Sequence, residues 1–337
     1  MRERSVVVLG GGFSPERNVS MASAANIALQ LRRASLPAVV VDLSGGVLTQ
    51  EQETAWLSGS IADAPSLADL AALKRNTDVF GLLQSPLLLA ADVVFPIIHG
   101  TFGEDGHLQA LLETAGLAYV GSDYVGQALA MNKHLAKQLF AQNQIPTPPW
   151  VRFLRGEKSS PAFQFPCVVK PASAGSSLGV TVCAAAADLT AALERALAFD
   201  SEVLIERFIA GREFTIGVLG RRALAIGEIR ASGGFDYAAK YRAASTREIF
   251  PADLPAAVAS RAADLALAVT EALRLRHYCR IDFILADSGE IYILEANAAP
   301  GMTQKSLYPQ SAEAAGLPFA QVCADLCAMA RNDHVQS

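Results

Sequence analysis

The sequence predicts a mixed architecture, with a parallel-sheet α/β region at the front and a hairpin-rich α+β region behind it. Three observations carry the prediction. Short apolar runs alternate with helical stretches through the first third, the pattern of a parallel sheet covered by helices. "NQIPTPPW", Asn143 to Trp150, then interrupts the chain with three prolines and marks a boundary. Beyond it, β-rich runs follow one another across short turns.

Taken in order, "SVVVLGGG" reads as a buried strand ending in a glycine turn, and residues 19–34 as a helix. "AVVVDL" is a second strand and "ADVVFPIIHG" a third. "GHLQALLETAG" is a helix that stops at Gly116, a good C-terminal cap. Residues 44–91 predict one or two surface helices. Ser122 to Asn143 predicts a single helix carrying Lys133 and Lys137. "FPCVVKPASAGSSLGVTVC" reads as strand, Gly-Ser loop, strand, and "ADLTAALERALAF" as an amphipathic helix. "EVLIERFI", "EFTIGVLG" and "ALAIGEIR" are further strands. The last five or so residues are expected to fray.

Composition narrows the function classes. At roughly 100–200 residues per domain, 337 residues make two or three domains. The net charge is −5, with none of the basic footprint of a nucleic-acid binder. The apolar run in "MRERSVVVLGGG" is too short for a signal peptide. No stretch reaches the ~18–20 uninterrupted apolar residues of a membrane helix; "PLLLAADVVFPII" comes nearest and is broken by Asp92. Five scattered cysteines form no C-x-x-C pair, which fits buried free thiols in a reducing cytoplasm. The histidines show no metal-ligand spacing.

The most informative stretch is "RIDFILADSGEIYILEANAAPG", Arg280 to Gly301. It is an apolar hairpin interrupted by Arg280, Asp282, Glu295 and Asn297. Residues two apart on a strand share a face. A two-residue turn at Ser288-Gly289 would pair Asp282 with Glu295 and Arg280 with Asn297, so all four project together. Two adjacent carboxylates need a cation between them. Asp282, Glu295 and Asn297 offer hard oxygen ligands that suit Mg²⁺, which keeps positions for phosphate oxygens and water. The blander reading is a buried ion-pair network, costly for stability alone.

Other segments supply the complement. In "VVKPASAGSSLGV", Lys170 ends a strand and a Gly-Ser loop follows, whose backbone N–H groups and Ser176 and Ser177 hydroxyls can hold phosphate oxygens. The loop is not a Walker A sequence, and alone it would be a plain hairpin turn. "LGGGFSPERNVS" lacks the dinucleotide G-x-G-x-x-G register. Glu16 there would repel a pyrophosphate and is better placed to hold an amine; the plainer alternative is an ordinary helix-start acid. His99 in "IIHGTFGEDGHLQ" follows a buried strand, where such sheets bind ligands. "GGFDYAAKYR", with Lys240 and Tyr241, reads as a surface loop or as a mobile segment closing over a site.

"GGFSPERNVS", "IHGTFGEDGHLQ", "KPASAGSSLGV", "FDYAAKY", "RIDFIL" and "LEANAAPGMT" occur in the order found in the D-alanine–D-alanine ligases, which are ATP-grasp enzymes, and the chain resembles that family over roughly residues 5–330. The resemblance implies an ATP-grasp fold preceded by a Rossmann-like parallel-sheet domain: residues 1–121 form the Rossmann-like domain, 122–202 the central part with the phosphate loop, and 203–337 the part with the metal hairpin. It implies joining of two D-alanines through an acyl phosphate for peptidoglycan precursors, with ATP and two Mg²⁺ ions (Mn²⁺ being possible), in a cytoplasmic homodimer. Lys133, Lys170, Ser176 and Ser177 would hold ATP phosphates. Glu206 would meet the adenine and Glu213 the ribose, with Arg207 and Ile209 completing that pocket. Asp282, Glu295 and Asn297 would hold the metals. Glu16 would take the first ammonium with His99 nearby, and Arg280 would stabilise the oxyanion. Gly301 and Ser306 would receive the second substrate. Lys240 and Tyr241 would cap the site, Tyr241 bonding towards Ser176 and Glu16.

Three features depart from the family's common pattern. Arg207 replaces lysine, Ala298-Ala299 replaces Thr-Leu or Thr-Ser, and Lys305 precedes Ser306. They leave open a ligase with a different second amino acid. The remaining rivals are a silent ATP-binding relative and a dehydrogenase built on Gly10–Gly12.

Overall fold

The computed structural model describes residues 5–58, 64–157, 163–231 and 246–336. Lys240 and Tyr241 lie outside the described residues. Among the described residues, three sheets follow one another. The first contains β1 (Val6–Gly10), β2 (Ala38–Asp42), β3 (Gly46–Val47) and β4 (Val93–Pro96), in the order β3-β2-β1-β4. β1 runs parallel to both β2 and β4, and only the short edge strand β3 is antiparallel. β1 is buried throughout because both faces are covered. Val6 and Val8 pack among residues of helices Arg17–Arg33 and Phe319–Gln336, while Val7 and Leu9 join Leu108 and Leu112 of helix His107–Thr114. The period-two alternation thus feeds two layers, which is why the strand reads as unbroken apolar sequence.

The second sheet contains β5 (Trp150–Leu154), β6 (Cys167–Pro171), β7 (Thr181–Cys183) and β8 (Glu202–Arg207), ordered β5-β8-β6-β7 and antiparallel. Helix Ala186–Leu197 buries Leu189, Ala192, Leu193 and Ala196, a single stripe at helical spacing, against it. The third contains β9 (Gly211–Leu219), β10 (Arg222–Ala231), β11 (Thr246–Ile249), β12 (Tyr278–Ala286) and β13 (Ile291–Asn297), ordered β11-β10-β9-β12-β13. Helix Ala256–Ala272 packs Ala262, Leu265, Ala266 and Val269 with Phe214, Ile216, Ile281 and Phe283 on one face. By alternation, Thr215, Arg280 and Asp282 occupy the other face. Among the described residues, no helix is long and apolar enough to cross a membrane.

Four local expectations are corrected. The single helix over 122–143 is two, Tyr124–Met131 and Lys133–Gln142. Asn132 ends the first and caps the second, its Oδ1 accepting from Leu135 N at 3.0 Å. An asparagine that offers the backbone a side-chain acceptor favours such a break. The described residues within 44–91 hold four short helices, because Ser66, Asp78 and Ser85 each restart the chain as an N-cap. The final helix runs on through Gln336, and Asp333 anchors it to His277 at 2.9 Å.

The hairpin turn also differs. Gly289 N donates to Ala286 O, and Leu285 pairs with Ile291 and Phe283 with Ile293. That register would set Leu294 opposite Asp282. A bulge at Leu294 shifts it, so Asp282 pairs with Glu295 and Arg280 with Asn297 as the sequence predicts.

Candidate active site

The four polar residues of β12 and β13 form one cluster. Arg280 forks onto Asp282, with Nε to Oδ1 at 2.9 Å and Nη2 to Oδ2 at 2.7 Å. Thr215 Oγ1 donates to Asp282 Oδ1 at 2.6 Å and Asn297 Nδ2 to Oδ2 at 3.0 Å. Glu295 is met by Lys133, 3.3 Å away. The two carboxylates therefore stand side by side, each beside its own cation. Among the described residues no three His, Cys, Asp or Glu converge as a complete metal cage. Two carboxylates and one amide oxygen are instead a partial, hard-oxygen set that suits Mg²⁺ with phosphate and water completing its shell. The residues present fit such an ion.

This cluster forms one end of a cleft of about 760 Å³ between the second and third sheets. Lys133, Lys170, Ser177, Glu206, Arg207, Ile209, Glu213, Asp282 and Glu295 line it together. Apolar surface comes from Val168, Phe208, Ile284 and Leu294. The bulge turns both Leu294 and Glu295 into the cleft, one apolar and one charged. Lys133 opens its helix and reaches back, its Nζ donating to Ala174 O at 2.8 Å. Lys170 stands 3.0 Å from Glu206 Oε2. Arg207 points to the rim, bonded to Tyr292 Oη at 3.0 Å.

Sequence reasoning left three contributors unassigned. Lys137 is fully buried, 3.1 Å from Glu206 Oε1, and donates to Thr147 Oγ1 at 2.5 Å. Burial lowers its pKa to about 8, with Glu206 opposing and Lys170 assisting the shift. Its signal was the spacing of four from Lys133 on a helix. Thr215 follows Glu213 by two residues on β9, the same-face spacing that revealed Asp282. Glu228 is gripped by Arg212 at 2.9 Å twice and by Arg230 at 2.9 Å, which hold its carboxyl down to about 2. Glu228 lines the cleft directly, while Lys137 and Thr215 stand behind Glu206 and Asp282, which do. No pattern in the sequence pairs them.

The other pole gathers around the first sheet. Gly11 and Gly12 take φ of +86° and +96° in the turn that leads from β1 to Glu16. Ser176 Oγ donates to Glu16, tying the Gly-Ser loop to that turn. Ser176 and Ser177 themselves hold φ of 51° and 56°, a conformation side chains adopt at a cost and which functional loops retain. His99 is buried beside this pair. Burial disfavours its charged form, but the hydrogen bond and charge of Glu104, with Glu16 further off, prevail and raise its pKa against the opposing effect of Arg280. Gly301 and Ser306 adjoin each other, since a Cβ on Gly301 would lie 2.9 Å from Ser306 Oγ. They are not in the lining of the large cleft, and Ser306 Oγ accepts from Thr303 N at 3.0 Å.

A Rossmann-like sheet followed by two antiparallel sheets that enclose a cleft defines the ATP-grasp class of architecture. The family model described as D-ala D-ala ligase N-terminus matches residues 5–122, and D-ala D-ala ligase C-terminus matches 139–328. A D-alanine–D-alanine ligase of Pediococcus pentosaceus is 35% identical, covering 94% of this chain and 95% of that one. One from Geobacter sulfurreducens is 37% identical, covering 93% and 89%. Among solved structures, the ligase of Coxiella burnetii superposes with a TM-score of 0.82 at 27% identity, covering 100% of this chain and 96% of that one. The Bacillus anthracis ligase complexed with ATP gives 0.75 at 27%, covering 99% of each. A D-Ala:D-Ser ligase of Enterococcus faecalis gives 0.79 at 30%, covering 98% and 100%. The chain belongs to the D-alanine–D-alanine ligase family.

Proposed function

We propose that the protein joins two D-alanines into D-alanyl-D-alanine for peptidoglycan precursors, converting ATP to ADP and phosphate. The observation that carries this reading is the placement of Asp282, Glu295, Asn297 and Arg280 at one end of a cleft whose walls bring Lys133, Lys170 and Glu206 together. The ATP-bound relative supports ATP as the nucleotide. Apolar Val168, Ile209, Ile284 and Leu294 suit an adenine ring, with Glu206 accepting from its amino group and Glu213 from the ribose. Lys133, Lys170 and the hydroxyls of Ser176 and Ser177 serve the phosphates. Asp282, Glu295 and Asn297 are the residues that would hold Mg²⁺, which supplies charge neutralisation for phosphoryl transfer.

Glu16 holds the ammonium of the first D-alanine, with His99 beside it. A carboxylate oxygen of that first D-alanine attacks the γ-phosphorus, ADP leaves, and an acyl phosphate forms on the amino acid. The amine of the second D-alanine attacks that carbonyl carbon. The guanidinium of Arg280 meets the developing oxyanion. Phosphate leaves, the amine loses a proton, and the peptide bond remains. Gly301 and Ser306 receive the second substrate, and Lys240 and Tyr241 cap the site. The units 1–121, 122–202 and 203–337 are the proposed domains, with β8 of the second sheet (Glu202–Arg207) crossing the boundary at 202/203. Five cysteines, all free and buried, favour a cytoplasmic enzyme, and the family favours a homodimer.

The experiment is a panel of second substrates: D-alanine alone, then D-alanine with D-serine or D-lactate, scored by product mass with ATP and Mg²⁺. D-alanyl-D-alanine should dominate every mixture. A mixed product in preference to the homodipeptide would overturn the substrate assignment. Lys305, one motive for a different second amino acid, is exposed at the surface.

A further inference from the structure

Behind the metal hairpin lies a second, much smaller cavity of about 30 Å³. Glu104, Gln127, Lys133, Gly175, Glu295 and Asn297 contribute to its wall. It therefore sits where the Glu104 loop, helix Tyr124–Met131, the Gly-Ser loop and the hairpin meet. Gln127 is 2% exposed, and its Oε1 has no hydrogen-bond partner among the described residues. Its amide faces Gly121 from one side while Tyr278 faces it from another: a Cβ there would lie 3.8 Å from Gln127 Nε2 and 3.9 Å from Tyr278 Cε1. The Tyr278 hydroxyl is also buried without a partner among the described residues.

A buried amide oxygen left without a donor costs about 1–3 kcal/mol, so such a group is normally satisfied. A cavity of this size accommodates one water, and its polar wall offers the two to four partners a buried water needs. The cavity shares Glu295 and Asn297 with the hairpin cluster and is set apart from it by Gln127 and Glu104 on its wall.

Glu104 gives the cavity a consequence. Its Oε2 accepts from Gly100 N at 2.6 Å, and its Oε1 lies 3.5 Å from His99 Nδ1. We propose that the cavity is a built water site and that Gln127 is a positioning residue, holding Glu104 through that water and thereby orienting His99 at the first-substrate pole. The kinetic part rests on the ligase reading above; the water site does not.

The test has a crystallographic and a kinetic arm. In a crystal structure that resolves ordered solvent, a water should lie within about 2.7–3.2 Å of both Gln127 Oε1 and the Glu104 carboxylate. A direct protein partner for Gln127 Oε1 with no such water would overturn the site. Gln127→Met keeps the shape and removes the acceptor. It should raise KM for D-alanine about three- to tenfold while kcat and Tm stay near wild type. Gln127→Asn, which keeps the amide and leaves room for a second water, should recover most of that loss. Gln127→Met and Glu104→Gln should be non-additive in a double-mutant cycle. Additive effects, or a fall in Tm with KM unchanged, would reduce Gln127 to a structural role. If the wild type makes no dipeptide, the ligase reading fails, and the crystal structure alone decides the water site.

Discussion

Asp282 accepts hydrogen bonds from Arg280, Thr215 and Asn297 at once, so Arg280 orders the carboxylate, and in the proposed reaction it also meets the developing oxyanion. Arg280→Ala should lower kcat by about 10²–10³-fold while leaving nucleotide affinity near wild type. Arg280→Lys should recover little, because a single ammonium cannot reproduce the fork. Near-normal turnover in the alanine variant, measured beside ATP binding by calorimetry, would remove Arg280 from the chemistry. Lys137 makes a pH prediction. Its folded pKa of about 8 lies below the ordinary 10.5, so the unfolded chain binds more protons between those values. Its charge opposes folding below about pH 8, and that opposition fades as pH rises through the window. Wild-type stability should thus rise relative to Lys137→Met between pH 8 and 10.5, by on the order of 3 kcal/mol in urea titrations. A constant difference would contradict the assignment. At this scale the hairpin residues were legible because charge inside an apolar run is anomalous. Lys137 and Glu228 were not, because their meaning comes from partners far along the chain.

Elements explain how those residues are aimed. The register of Asp282 against Glu295 was readable from the alternation, yet the two-residue turn assumed for it is absent, and the bulge at Leu294 restores the pairing. Bulges leave no distinctive local residue here, so the device was invisible in sequence. Asn132 was invisible for a different reason: the apolar periodicity continues across it, and only its double capping role separates the two helices. Asn132→Ala should cost about 1 kcal/mol in stability. It should also raise KM for ATP, since Lys133 begins the second helix at that cap. Unchanged Tm and KM would show that the break is held by packing alone.

The whole molecule is closed by a shared core. Met21, Ile27 and Val40 of the first region pack in one cluster with Tyr278, Tyr308, Val322 and Leu326 from the end of the chain. The prolines at 146–149 and the change from parallel to antiparallel patterning revealed the succession of sheets. They could not reveal that the last helix returns to the first, because tertiary return paths carry no local signal. A cleft between two sheets should tighten the fold when filled: nucleotide with Mg²⁺ at about one hundred times its Kd should add about 2.7 kcal/mol of stability, read as a rise in Tm. No rise would mean the cleft is not the nucleotide site. The most direct test of the central claim follows one oxygen atom. D-alanine labelled with heavy oxygen in its carboxylate is incubated with the protein, ATP and Mg²⁺, and dipeptide and phosphate are weighed by mass spectrometry. D-alanyl-D-alanine together with one labelled oxygen in the released phosphate is the predicted result. Unlabelled phosphate, or ADP formed with no dipeptide, would contradict it.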